Sequence, residues 1–314
     1  MAKVDLHVHS KFSNHPTEWF LKRLGANECY TEPDFIYQTA RANGMDFVTI
    51  TDHNKIEGAL RLKAKHADSV ITGVEFTAYF PEDQCKIHVL VYGLDEQQYQ
   101  DIQRIRTDIY QLRDYLKDQD LAHAVAHATY PVNGKLKLAH LEKLILLFDH
   151  FEAINGGRNR INNETWMNIL SQLTPNHISD LYNKHRIDPI SDHPWEKGFT
   201  AGSDDHAGLF IGQTYAVVEA QTAEEVIARI KAKQAYASGR HNDYKALAFT
   251  VYKVAYDFSK HKKGMLLNSF IKSISEYAFE KRELGMADRL KLKKMKHADK
   301  KNGNRIYRLL YDLV

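Results

Sequence analysis

The chain has 314 residues, of which 43% are hydrophobic and 26% charged, with two cysteines, seven prolines and a formal net charge of +3. Those values suit one large globular domain, or one domain with an appendage, and exclude collagen-like, coiled-coil and disordered classes. The polar start MAKVDLHVHS is no secretory signal, no apolar run approaches the ~18 residues of a membrane span, and Cys29 and Cys85 are too few for a disulfide scaffold, so a reducing, cytoplasmic setting is expected.

Seven β-rich runs follow one another: Lys3 to Ser10, Asp46 to Thr51, Ser69 to Phe76, Lys86 to Tyr92, Ala122 to His127, His150 to Ile154 and Phe199 to Gly202. Helical patterns lie between them. Pro33 opens one that Gly44 closes, Thr174-Pro175 starts another, and Thr222 with Glu225 has capping-box spacing for a helix to about Tyr236. Strands alternating with helices argue for an α/β fold with a mainly parallel sheet, and seven strands over this length favour a barrel of TIM type. After about Asn242 the character changes. Residues 244 to 279 are aromatic and apolar, and residues 281 to 308 hold eleven Lys or Arg against three Asp or Glu. The expected organisation is a barrel over 1–243 and a helical, basic extension over 244–314.

Histidine is abundant, at 17 residues. In the first strand Val4, Leu6 and Val8 alternate with Asp5, His7 and His9, so a period of two puts both histidines on one face. A lone His-x-His is more often a surface pair than a chelate. Here it is joined by His15 in the following loop, Asp52-His53 after FVTIT, Glu75 ending ITGVE, His88 in KIHVLVYG, His127 ending LAHAVAH, and Asp204 and His206 after FTAGS. These groups lie in or just past β-runs, several at the C-terminal end, where a (β/α) barrel gathers its active-site loops. Buried imidazoles and carboxylates need partners, and a shared metal cluster supplies them all at once.

This arrangement resembles the PHP (polymerase and histidinol phosphatase) family, through DLHVHS at 5–10, TDH at 51–53, GVE at 73–75, the histidine of IHVLVYG, His127 and SDDH at 203–206. The pieces occur in the family's order over about residues 3–240. The resemblance implies a distorted (β/α)7 barrel, a PHP fold, with two or three divalent ions (Zn, Mn or Fe). It assigns His7, His9, Glu75 and Asp204 to one ion, has Glu75 bridge to a second held by His88 and His127, and gives His15, His53 and His206 to a third. Ala128 follows His127 where the family usually has proline. The stretches PTEWFLKRLGANECYTEPDFIY, HLEKLILLFDHFEAINGGRNR and SDDHAGLFIG are similar to PHP domains at the front of bacterial glycosyltransferases.

Imidazole and carboxylate ligands without cysteine suit Zn, Mn or Fe(II) alike. A hydroxide shared by neighbouring ions would attack a phosphate ester in line, so metal-dependent hydrolysis of a small phosphorylated substrate is the expected activity. The competing expectation is a non-catalytic module that binds a phosphorylated ligand beside a glycosyltransferase. A third is amide hydrolysis by a similar centre. Arg158 and Arg160 in INGGRNR could fork onto phosphate, with Gly156 and Gly157 letting the backbone come close; Arg240 and His241 in SGRHND are weaker candidates for substrate binding. Asp52 and Asp205 stand beside expected ligands and could orient imidazoles. Asp52, as a proton donor, and Arg158 are the candidate catalytic residues. His123 is read as structural, and His66, His140, His150, His177, His185, His193, His261 and His297 as surface groups. The basic tail allows contact with nucleic acid or a membrane surface, with solvated charge as the plainer reading.

Overall fold

The computed structural model describes residues 1–13, 27–261, 269–280, 282–291 and 293–294. Its contacts divide the chain into Met1–Asp243 and Tyr244–Val314.

The first unit is a barrel whose seven staves are the seven expected strands: β1 (Ala2–Asp5), β2 (Phe47–Ile50), β3 (Val70–Phe80), β4 (Cys85–Tyr92), β5 (Ala122–Val125), β6 (His150–Asn155) and β7 (Gly198–Gly202). They are neighbours in numerical order. β1, β2 and β3 run parallel, as do β5, β6 and β7. β4 runs antiparallel to both neighbours, the one exception among staves that are otherwise parallel, as expected. The cause is the short Pro81–Gln84 link between β3 and β4, because a parallel return needs a crossover of a dozen residues or more.

Closure comes from β7 meeting the chain just past β1. Leu6 N–H donates to the Ala201 carbonyl at 3.3 Å, Asp204 N–H to His7 at 2.7 Å, and Val8 forms a parallel bridge with Asp205. The approach requires Gly202: a Cβ there would collide with the Cβ and backbone nitrogen of His7. Two further strands, β8 (Thr214–Val218) and β9 (Ala235–Gly239), form an antiparallel pair, and β8 continues antiparallel against Ala2–Val4 of β1. They were not among the seven expected strands.

Among the described residues the barrel's helices are α1 (Pro33–Ala42), α2 (Glu57–Lys63), α3 (Glu96–Ile105), α4 (Ile109–Asp118), α5 (Leu138–Leu147), α6 (Arg160–Ser171), α7 (Pro175–His185) and α8 (Ala223–Lys231). Local chemistry sets their ends. Pro33 opens α1 and Gly44 follows it at φ +81°. Thr174 Oγ1 accepts from His177 N–H at the start of α7. Thr222 Oγ1 accepts from Glu225 N–H, while the Glu225 carboxylate caps Gln221 N–H, one residue outside the box. That helix stops at Lys231, not Tyr236. Lys233 turns left-handed at φ +60° and Tyr236 lies in β9.

The second unit contains α9 (Tyr244–His261) and α10 (Ser269–Glu280). Phe279 packs among Phe249, Tyr252 and Tyr256, with ring centroids 5.1–5.6 Å apart. Of the basic run, Arg282 pairs with Glu276 and Glu280 and Arg289 with Glu283; much of the rest, including His297, lies outside the described residues. Among the described residues no helix is long and apolar enough to cross a membrane.

Candidate metal centre

One end of the barrel brings eight of the nine expected ligands together, most from the C-terminal ends of strands and Glu75 and His88 from within β3 and β4; His15 lies outside the described residues. The alternation of β1 carries on past its last residue, so His7 and His9 point the same way and their Nε2 atoms come within 3.1 Å. Glu75, buried in the middle of β3, meets them from the side: its Oε2 lies 3.3 Å from His7 Nε2 and 3.2 Å from His9 Nε2. Asp204 Oδ1 is 3.4 Å from each. Donors sharing an ion bound at about 2.0–2.2 Å stand roughly 3.0–3.5 Å apart, so these four have the spacing of a shared ion.

Glu75 also faces a second group. Its Oε1 is 2.8 Å from His88 Nδ1 and 3.1 Å from His127 Nε2, and its Oε2 is 2.9 Å from His53 Nδ1. The carboxylate thus stands between the His7–His9 pair and the His88–His127 pair. His206 stacks on His9, ring centroids 4.0 Å apart. Groups able to hold an ion include His7, His9 and Glu75; His53, Glu75 and His88; His7, His127 and Asp204; and His9, His53 and His206.

The convergence is not that of a hydrogen-bonded core. His53 Nδ1, His88 Nδ1, His206 Nε2 and Glu75 Oε2 are buried, yet none has a hydrogen-bond partner among the described residues. The first two lie within 2.9 Å of a carboxylate oxygen without aligning a hydrogen on it. Orphaned buried polar atoms are rare because each costs its desolvation energy. Lone pairs converging on one space fit a divalent cation. Two donors also carry backbone strain, with φ +27° at His127 and +50° at Asp204. Such conformations cluster at functional sites.

The electrostatics fit the same picture. Burial works against the Glu75 and Asp204 charges, but the surrounding imidazoles hold both carboxyls well below the usual range. Burial likewise opposes a charged His9, yet Asp204 and Glu75 push it up to about 9. His88 and His206 are pushed down to about 4, chiefly by burial. An ion would replace the protons that the carboxylates otherwise demand.

Two carboxylates at the site were not anticipated. Glu152 of β6 accepts at Oε1 from His7 Nδ1 (2.9 Å), and at Oε2 from His127 N–H (2.9 Å) and Asn155 Nδ2 (2.7 Å). Asn155 Nδ2 also reaches Asp204 Oδ2 at 3.1 Å. One side chain therefore fixes three donors, and its sequence signal was a carboxylate inside the apolar strand HFEAIN. Glu28 brings Oε2 to 3.3 Å from His53 Nε2 and Oε1 to 3.8 Å from His206 Nε2. Nothing in its surrounding segment marked it.

Other expectations need correction. Asp52 is fully buried, with its oxygens engaged by Ser10 N–H and Oγ and by Ser13 Oγ. Ser13 Oγ lies 3.0 Å from His9 Nδ1, so Asp52 positions His9 at one remove, and that placement is unsuited to donating a proton to substrate. Asp205 orients no imidazole; it accepts from the N–H groups of Ala207, Gly208, Leu209 and Phe210. Arg160 is largely exposed and pairs with Glu164 along α6. Arg240 stacks on Phe210 at 4.1 Å, and His241 Nδ1 lies 2.9 Å from Asn163 Nδ2. Neither is brought to the donor cluster by a described contact. Arg158 is. Its guanidinium lies 3.6 Å over the Tyr130 ring, Nη2 is 3.7 Å from Asp204 Oδ2, and its buried Nε has no hydrogen-bond partner among the described residues. His140 and His150, expected at the surface, are buried.

No protein-family model matches the chain. A stretch of 61 residues, 19% of the chain, is 41% identical to the uncharacterized protein MJ1587 of Methanocaldococcus jannaschii and spans 34% of that protein's length. Solved structures similar to this one include PsfC from Pseudomonas syringae PB-5123 (TM-score 0.48, 14% identity, covering 82% of this chain and 98% of that one). Others are a candidate metal-dependent phosphoesterase from Bifidobacterium adolescentis (0.43, 14%, 77% and 97%) and an amidohydrolase from Chromobacterium violaceum with bound sulfate and no metal (0.41, 13%, 75% and 98%).

Proposed function

We propose that the chain is a metal-dependent hydrolase of the PHP type acting on a phosphate ester. The observation that carries this reading is the convergence of His7, His9, His53, His88, His127, His206, Asp204 and Glu75 on one space, where buried atoms of His53, His88, His206 and Glu75 have no hydrogen-bond partner among the described residues. Divalent ions, held by these side chains, would supply Lewis-acid charge for phosphate oxygens and for activating water.

The chain's own residues bind and position. Glu152 fixes the ring of His7 through Nδ1, and Ser13, itself anchored on Asp52, does the same for His9, leaving both Nε2 atoms free to coordinate. Glu75 serves both sets of donors at once. Arg158, flattened against Tyr130, offers guanidinium N–H groups beside Asp204, where a phosphate would receive them. That arginine favours a phosphate ester, which is anionic before the reaction begins, over an amide, whose oxygen gains charge only on the way to the tetrahedral intermediate. Ser13 lies against His9, which in turn faces Glu75 and Asp204, but its Oγ donates to Asp52 and accepts from His53 N–H, so it is not set up as a nucleophile.

The test is purification without chelator, elemental analysis of bound metal, and hydrolysis of p-nitrophenyl phosphate before and after stripping. Two or three ions per chain and activity restored by Mn or Zn are expected. A metal-free wild type, or loaded protein inert towards a panel of phosphate esters, would sink the proposal.

A further inference from the structure

Glu28 belongs to no strand and to none of the motifs that singled out the other donors. Its place is set by its neighbours. Cys29 Sγ donates to the His9 carbonyl at 3.3 Å, and Lys11 N–H donates to the Thr31 carbonyl at 2.8 Å. The segment is thereby fastened along the chain that leaves β1. The Glu28 side chain is turned inward, only 7% exposed, with one oxygen facing His53 and the other His206.

The His53 ring stands between two carboxylates. Nδ1 is 2.9 Å from Glu75 Oε2, and Nε2 is 3.3 Å from Glu28 Oε2. Two such contacts suit either an imidazolium, which donates from both nitrogens, or a ring that coordinates a cation, since a neutral imidazole carries one N–H. In the neutral ring the other nitrogen turns its lone pair on a carboxylate oxygen, which is repulsive; Nδ1 aligns no hydrogen on Glu75, which favours the coordinating form. His206 Nε2, 3.8 Å from the other Glu28 oxygen, has no hydrogen-bond partner among the described residues. A cation between these lone pairs converts repulsion into shared coordination.

We propose that Glu28 is a metal ligand: with His53 and His206 it forms the seat of one divalent ion of the centre. The inference rests on the metal centre proposed above. An oxygen donor here suits Mn(II) or Fe(II) better than an all-imidazole seat would, since carboxylates favour the harder ions.

Wild type, E28Q and E28D, each as the full chain, would be stripped, titrated with Mn(II) alone and analysed for bound metal per chain, with affinities from competition against a chromogenic chelator. At a concentration that fills wild type, E28Q is expected to bind one ion fewer, with affinity for that ion lowered roughly tenfold or more. E28D, which keeps the charge one methylene short, should recover part of it, and carries the comparison if E28Q does not fold. Full stoichiometry and unchanged affinity in both variants would overturn the role of Glu28 and leave the centre standing; a wild type that binds no Mn(II) would remove the centre itself.

Discussion

At the C-terminal ends of the strands His7, His9 and His53 each face a carboxylate, whereas at the N-terminal ends of β5 and β6 His123 and His150 face one another, ring centroids 5.8 Å apart and edge to face. All five rings are buried. The nearest acid at the lower end, Asp149, is already engaged by Lys197, Lys233 and Ser191. Burial therefore prevails, lowering His123 and pushing His150 down to about 3. At the upper end the carboxylates prevail at His7, His9 and His53, raising them against the same penalty, while burial still holds His88 and His206 down. Buried histidine alone says nothing about metal; buried histidine facing an acid without hydrogen-bond alignment does.

Removing the acid that both sets of upper donors share should break the contrast most completely. Glu75→Gln keeps the shape of the side chain but removes its charge from beside five imidazoles. Metal content should fall by more than one ion per chain, and hydrolysis by more than the roughly 10–100-fold typical of losing an outer partner. Elemental analysis and p-nitrophenyl phosphate turnover check both, and an active, fully loaded variant would refute the bridging role. Glu152→Gln comes next. Its amide cannot accept at both ends from His7 Nδ1 and from His127 N–H with Asn155, so metal affinity should drop about 10–100-fold. Chelator competition reads this, and unchanged affinity would reduce Glu152 to a plain core partner.

The upper site was legible because its donors lie in or just past apolar runs: TDH and SDDH follow β2 and β7, Glu75 and His88 sit inside β3 and β4, and the runs themselves mark the seven staves. β9 was hidden because AYASG is short and small, and because the amphipathic pattern from Thr222 runs on past Lys231 without a break in composition. Glu28 could not be read, since contacts of Cys29 and Thr31 with the chain past β1 put it in place. Arg160 was misread for a local reason. Asn159 caps α6 by accepting from Asn162 N–H, so Arg160 becomes the first helical residue and pairs one turn on with Glu164. The antiparallel β4 followed from loop length, a signal that was present and not used.

Arg158 sharpens the comparison from the substrate side. Arg158→Ala should leave metal content intact while raising KM for a phosphate ester by roughly 10–100-fold, the loss of one or two charge-assisted hydrogen bonds. Arg158→Lys should recover part of it, because lysine keeps the charge and loses the fork and the stacking on Tyr130. A fall in bound metal instead would mean that the arginine supports Asp204, 3.7 Å away, more than it serves a ligand.

The smallest effect belongs to the lower end and should not touch metal at all. His150 is held neutral by burial first and by His123 second, which push it down to about 3 from the usual 6.5 of a free imidazole. Between those pH values the unfolded chain binds a proton that the folded chain refuses, so stability falls as pH drops from about 6.5 toward 3. One such group costs about 1.4 kcal/mol per pH unit where it is fully charged in the unfolded chain. His150→Leu removes that proton from the balance. The variant's urea-unfolding free energy should decline less steeply with acid than the wild type's, while its metal content at neutral pH is unchanged. Gly198 leaves room for no more than the present ring, since a Cβ there would meet His150 Nε2 at 3.1 Å, so some loss of stability at pH 7 is expected from the change of shape. The slope, not the intercept, tests the assignment: parallel acid limbs in the two proteins would mean that His150 does not drive acid unfolding, and lost metal would mean that the two ends of the barrel are not independent.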